Sequence, residues 1–531
     1  MIASAGAGAP DGRRHRQPVT FGVPLPQGAI TDLTPWTLHD EDGRTFAAAT
    51  RVLERWRDGS VRWMLVDSQV TVPSVRAWLT PVASESHDHA APSVLVHRTA
   101  DSTTIDTGSA KFVIRAKTKS IVDVLEPAGS PSGAPDGSLT ATCSVDLTDP
   151  AGVVHHAVVS GSSVLHHQQL RARVAVDLAI ESGPLRELEL AASLDFYAGL
   201  STIRVALLVR NPRAATHPGG FWDLGDPGSL LLKDLSFAIH LVADQDSAIA
   251  DVSPEIGSAW SVAEQPVELY QDSSGGQNWR STTHVNRERR VPNVFRGYRL
   301  RTGAAERQGL RATPIVRIRS GTRAAAVAVP YFWQNCPRAV EAAAGAVVVR
   351  FFPGQYGDLH ELQGGEQKTH LCVVAFGADA LDDNGLEWAR SPLVVRADSE
   401  WHFSAAGVPW LAANDADHAA LVSSAVDGPD SFDHKREVVD EYGWRNFGDV
   451  YGDHEAIGYD GAAPLVSHYN NQYDPIAGFI YQYLRTGDAR WWTMADELAA
   501  HVIDIDIYHT TRDKWAYNNG LFWHTYHYGD A

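Results

Sequence analysis

Up to Val395 the chain alternates apolar and polar positions in short runs, each closed by Gly, Pro, Asp or Ser. Successive side chains of an extended strand point to opposite faces, so this rhythm predicts half-buried strands. The runs include 110–115 (AKFVIR), 170–180 (LRARVAVDLAI), 187–196 (ELELAASLDF), 202–209 (TIRVALLV), 324–329 and 346–351. Helical periodicity is almost absent there. Roughly 300 residues of strand exceed what one open sheet accommodates, so 93–397 is predicted to be a large antiparallel β-sandwich. Residues 17–92 carry their own hairpins. One turns at Glu41-Asp42-Gly43-Arg44. A second turns at Asp58-Gly59, between Val52, Glu54 and Trp56 on one side and Val61, Trp63 and Leu65 on the other. These predict a small barrel or sandwich with Trp56 and Trp63 in its core. Residues 83–93 read as a polar linker, and the small, polar and basic residues 1–16 as disordered.

After Val395 the period changes. Residues 412–423 begin a helical pattern. Residues 476–485 (IAGFIYQYLR) predict an amphipathic helix, with Pro475 at its start and Thr486-Gly487-Asp488 at its end. Residues 489–503 predict the next helix, and the short linker makes the pair antiparallel. This is the repeating unit of an α/α toroid. The sequence ends within a polar-aromatic motif, so 398–531 is expected to be the start of a truncated toroid.

Composition narrows the function. The 531 residues carry 44% apolar and 21% charged side chains and a net charge of −19. That balance argues against nucleic acid or an anionic membrane as a general partner. No run approaches the ~20 apolar residues of a membrane span, and the N-terminus lacks a signal-peptide core, so a cytoplasmic location is expected. Cys143, Cys336 and Cys372 lie far apart and read as buried free thiols.

The candidate chemistry concentrates between Trp444 and Asp530, where Tyr, Trp, Asn and Asp surround His454, His468, His501, His509, His524 and His527. Flat rings cover sugar faces, while amides, carboxylates and imidazoles bond hydroxyls or move protons. Two reactions fit. In a lyase, Arg445 with Asn470 or Asn471 neutralises a uronic acid carboxylate, and His468, Tyr473, His524 or His527 removes the acidified proton. Trp444, Asp449, Asp453, His454, Asn518, Asn519 and Tyr526 complete substrate binding. In a hydrolase, two of Asp449, Asp453, Glu455 and Asp474 flank the glycosidic bond. No cofactor or metal is required, although Asp449, Asp453 and Glu455 could hold calcium. A non-catalytic sugar-binding protein is the third reading. Besides the shorter 331–338 (YFWQNCPR), two long insertions, 270–301 and 352–370, stand out in the β region. Within the second, His360, Glu361, Glu366 and His370 resemble a ligand cluster without the helical HExxH register, so structural bonding or contact with the next domain is expected.

The segments FGVPLPQG (21–28), ERWRDGSVRWMLVD (54–67), YQDSSGGQNW (270–279), HELQGGEQKTH (360–370), WRNFGDVYGDHE (444–455), HYNNQYD (468–474) and NNGLFWHTYHYGDA (518–531) resemble the exo-acting rhamnogalacturonan lyases of polysaccharide lyase family 26 and their bacterial relatives. The resemblance implies a RIFT barrel over 17–92, then a sandwich and a toroid. It also implies β-elimination on rhamnogalacturonan, an acidic pectic glycan, as the activity.

Overall fold

The structure is a computed structural model that describes residues 2–5, 16–71, 76–82, 92–126, 137–218, 223–242, 248–412, 418–451, 461, 466, 468 and 470–522. The strands form four sheets, and every described pairing is antiparallel. The first sheet has seven strands in the order Arg16–Pro24, Val61–Thr71, Thr45–Arg55, Trp36–Asp40, Arg76–Pro81, Ile2–Ala5, Val394–Ala397. The Asp58-Gly59 turn forms as its sequence requires. Gly59 takes φ +88°, and Asp58 Oδ1 accepts from the Ser60 amide at 3.0 Å. Two expectations change here. Ile2–Ala5, within the stretch expected to be disordered, is a strand that pairs with both Val394–Ala397 and Arg76–Ala77. Trp56 and Trp63 are half-buried, and Met64 and Val66 fill the core instead. The pairing of Thr45–Arg55 with Val61–Thr71 shifts register on either side of Glu54, which changes the face that each residue presents. Trp63 packs instead toward Gly407, whose carbonyl accepts from its indole at 3.3 Å.

Two larger sheets, of twelve and nine strands, follow. They pack face to face as a sandwich. Phe112 on Lys111–Arg115 of the first meets Phe196 on Glu189–Tyr197 of the second, with ring centroids 5.0 Å apart. Strand Leu139–Thr148 alternates buried and half-buried positions along its length, as the period-two pattern predicts. Cys143, Cys336 and Cys372 are buried free thiols, as expected.

A buried ion-pair chain joins the first sheet to the sandwich. Arg171 donates to Asp67 at 2.9 and 3.2 Å and to Asp195 at 3.0 Å, and Asp195 also binds Arg173. Converting Asp67→Asn weakens two charge-assisted bonds while keeping the side chain's shape. It is expected to cost about 2 kcal/mol, read as a lower denaturant midpoint. An unchanged midpoint would mean that the pair contributes nothing.

In the C-terminal part, Pro475–Thr486 and Ala489–His501 form the antiparallel pair read from the sequence. Pro475 occupies the first turn, Gly487 caps the first helix at φ +68°, and Asp488 caps the second. Phe479 and Trp491 join their apolar faces, 5.8 Å between ring centroids. The described residues do not close a toroid. None of their helices is long and apolar enough to cross a membrane.

Candidate functional site

The segment between helix Phe432–Val439 and Val450 packs onto the sandwich through the long 270–301 insertion. Thr283 Oγ1 donates to the Val439 carbonyl at 2.7 Å, Asn278 Nδ2 to the Val438 carbonyl at 2.7 Å, and Asn446 Nδ2 to the Thr283 carbonyl at 2.8 Å. A cavity of about 70 Å³ opens between this segment, the 270–301 insertion and the 352–370 loop. His284, Asn286, Arg287, Asp358, Arg445 and Asn446 line it.

Its charges are fixed by partners. Arg287 forms a two-pronged pair with Asp358 at 2.8 and 3.2 Å, and Asn286 donates to the same carboxylate at 2.7 Å. His284 Nε2 faces Asp440 Oδ1 at 3.3 Å, and Ser274 Oγ donates to the other Asp440 oxygen at 2.7 Å. With the Nε2 proton directed at Asp440, the Nδ1 lone pair is available as a proton acceptor.

Arg445 lines the cavity as expected, but its charge is already countered. Its Nε and Nη2 donate to Glu366 at 2.7 and 3.2 Å, Nη2 also reaches the Glu361 carbonyl, and the guanidinium stacks on Trp444 at 4.4 Å. Burial works against this charge, but the Glu366 carboxylate more than offsets it and raises the guanidinium above its ordinary value. The positive charge of Arg445, expected to neutralise a uronate with Asn470 or Asn471, is shared with Glu366 in the structure. Nη1, with two further N–H donors, is the edge a ligand can use.

The other sequence candidates scatter. Trp444 lines the cavity but is buried against Phe352, with ring centroids 4.9 Å apart, so it serves mainly as core. His468 and Asp449 are fully buried away from solvent, which corrects the expectation of a solvent-accessible base at His468. Tyr473 is 58% exposed on the short helix Asn470–Tyr473 and does not line the cavity. Asn471 holds structure, donating to Asp506 at 2.9 Å and to the Phe522 carbonyl. Asn518 closes a loop with Asp513 through two bonds of 3.0 Å, and the Asn519 amide donates to Tyr508 O. Asp474, a hydrolase candidate, caps helix Pro475–Thr486. Asp453, His454, Glu455, His524, Tyr526, His527 and the Asn470 side chain lie outside the described residues.

The 352–370 loop is no ligand cluster. Glu361 accepts from the Gly225 amide and Ser229 hydroxyl, both at 2.7 Å, and Glu366 binds Arg445. His360 donates to the Pro353 carbonyl at 3.1 Å between the rings of Phe352 and Tyr356.

Burial pushes His360 down to about 4, and His402 likewise to about 4. Unfolded histidine protonates near 6.5. Below that value the unfolded chain binds more protons, so stability is expected to fall as pH drops from about 6.5 towards about 4. Denaturant midpoints at intervals across this window check the expectation. The slope should flatten in His360→Gln, and a flat profile in the parent would contradict it.

His284, Asn286, Arg287 and Asp358 were not singled out from the sequence. The available signal was the length and Arg-Asn richness of the 270–301 insertion, now seen to supply one wall of the cavity.

Residues 9–70 match the PcRGLX-like N-terminal RIFT barrel domain. The seven-stranded N-terminal sheet is a RIFT barrel domain. No curated protein matches the chain in sequence. Among solved structures, a protein in glycosyl hydrolase family 38 from Enterococcus faecalis shares 10% identity over 75% of this chain and 47% of its own, with a TM-score of 0.37. A family 36 α-galactosidase from Geobacillus stearothermophilus shares 11% over 54% and 42%, at 0.32. A galactose mutarotase related enzyme from Lactobacillus acidophilus shares 8% over 52% and 97%, at 0.27. The chain thus spans less than half the length of the first two. Behind the RIFT barrel the structure is β-rich with few helices, up to the helix pair that ends its described part.

Proposed function

We propose that the chain is part of a carbohydrate-active enzyme, a lyase that cleaves rhamnogalacturonan-type acidic glycans by β-elimination. The match of residues 9–70 to the PcRGLX-like RIFT barrel domain carries this reading. The cavity lining supports it, with guanidinium, imidazole and amide groups suited to a uronate. On this reading, helices Pro475–Thr486 and Ala489–His501 begin an α/α toroid that covers the cavity side of the sandwich.

The N–H groups of Arg287 that do not face Asp358 and the Nη1 edge of Arg445 bind the uronate carboxylate, which acidifies the neighbouring C5 proton. His284 takes that proton on Nδ1, with Asp440 fixing its tautomer. The C5–H electron pair becomes the C4–C5 double bond, the C4–O bond breaks, and the departing oxygen takes a proton. Among the described residues no exposed carboxylate pair lines the cavity for hydrolysis. Asp358 is committed to Arg287, and Glu361 to Gly225 and Ser229.

The test is incubation with rhamnogalacturonan oligosaccharides while following ultraviolet absorbance and reducing ends together. A lyase raises both, because its product holds a double bond conjugated to the carboxylate. Reducing ends without absorbance would replace the lyase by a hydrolase.

A further inference from the structure

Arg338 opens strand Arg338–Ala343 of the twelve-stranded sheet, and its side chain is buried inside the sandwich, 2% exposed. Its Nη2 donates to Nδ1 of His370 at 3.3 Å, across the core on strand Gln367–Phe376 of the nine-stranded sheet. With Nδ1 accepting, the neutral imidazole carries its proton on Nε2. Phe351 stacks on the His370 ring and Phe352 meets it edge-on, each with 4.8 Å between ring centroids. His370, Phe351, Phe352 and the adjoining Cys372 are fully buried. Arg338 Nε and Nη1 and His370 Nε2 are sealed from solvent and have no hydrogen-bond partner among the described residues.

We propose that Arg338 binds a small monovalent inorganic anion of chloride type in the core of the sandwich, through the guanidinium N–H groups that His370 leaves open.

Charge is the first argument. Other basic side chains in this part of the sandwich are matched. Arg445 holds Glu366 at 2.7 Å, Arg350 holds Glu341 at 2.7 Å, and Lys368 lies 3.8 Å from Asp504. Arg338 has no carboxylate partner among the described residues. The acidic groups close enough to act on it are the Cys336 and Cys372 thiols. Burial holds the first well above its ordinary value and pushes the second up to about 12, so both keep their protons and supply no negative charge. Burial also pulls the guanidinium down to about 9, which leaves it charged at neutral pH. His370 stays neutral, because burial and the Arg338 charge both oppose its protonation. A buried charge without a counter-charge is costly, and an anion removes that cost.

The surroundings choose the ion. One positive charge calls for one negative charge. The walls are aromatic rings and a thiol, so the ion must part with its water cheaply and accept N–H groups from any direction. A halide does both. A phosphate would bring a second charge and more bulk into a site closed to solvent. Arg338 follows directly on Cys336 and Pro337, which line the cavity, so the ion would steady that wall from beneath. The site is independent of the reaction assigned to the cavity.

The competing account satisfies Arg338 with ordered water and the face of Phe351. The guanidinium carbon lies 5.5 Å from that ring centroid, near the outer limit of about 6 Å for a cation–π contact. Neither water nor the ring supplies a negative charge, and neither makes stability depend on which anion is present.

The full chain is dialysed into sodium gluconate, whose anion is too large for the core, and titrated with sodium chloride or bromide at constant ionic strength. Chemical denaturation then gives the ratio of folded to unfolded chain. Once chloride exceeds its dissociation constant, that ratio should rise about tenfold for each tenfold rise in chloride. Bromide should give an anomalous-scattering peak beside Arg338 in crystals. Arg338→Met should lose the chloride dependence, whereas the exposed Arg301→Gln should keep it. If Arg338→Met does not fold, the position of the bromide peak decides. Equal stability in gluconate and chloride, or bromide peaks at surface arginines alone, would overturn the site in favour of water and the aromatic face. So would a chloride dependence that survives in Arg338→Met.

Discussion

Replacing His284 by Ala is expected to lower turnover of acidic oligosaccharides about 10²–10⁴-fold, the usual contribution of a positioned general base. The fold should survive. The side chain's own bond is a 3.3 Å contact with Asp440, while the surrounding chain is held by Thr283 and Asn446. Substrate affinity should change little, because carboxylate binding is assigned to Arg287 and Arg445. Asp440→Asn should act through the imidazole, reducing turnover less and changing its pH profile, since Asp440 touches His284 and no substrate atom. Steady-state kinetics of both variants, with circular dichroism to verify folding, checks this. Parent-like turnover in His284→Ala would remove the base from that residue.

Arg445→Ala is expected to destabilise the chain by about 3–5 kcal/mol, because it strands the buried Glu366 carboxylate without its partner. The double variant Arg445→Ala, Glu366→Gln should recover part of that loss, since the uncompensated charge is then gone. Chemical denaturation of the three proteins measures both effects. A loss below about 1 kcal/mol in the single variant would mean that the pair is solvated, as surface pairs are. The same change should weaken uronate binding. Binding to the double variant separates the lost N–H donors from the misplaced 352–370 loop.

Local features of this fold were legible in the sequence. Period-two alternation located the strands, Asp58-Gly59 located a turn, and Pro475, Gly487 and Asp488 bounded two helices. Each depends on neighbours within a few residues. Pairings that join distant segments were not legible. Val394–Ala397 completes a sheet begun near the N-terminus, and nothing in either segment alone specifies the other. The register shifts beside Glu54 reversed the expected burial of Trp63 for a similar reason, because they depend on how two strands meet.

The site followed the same division. Aromatic and polar density pointed to the whole of Trp444–Asp530, of which Trp444, Arg445 and Asn446 line the cavity. The Glu366 partner of Arg445 and the opposing His284 and Arg287 come from far earlier in the chain, and only the fold brings them together.

The measurement that tests the central claim most directly is product mass spectrometry after digestion of rhamnogalacturonan oligosaccharides in heavy-oxygen water. Elimination adds no water across the cleaved bond. The account therefore predicts a new non-reducing-end product one water lighter than the hydrolysis product, with no solvent oxygen incorporated at cleavage. Products carrying one heavy oxygen per cleavage would contradict it and establish hydrolysis in its place.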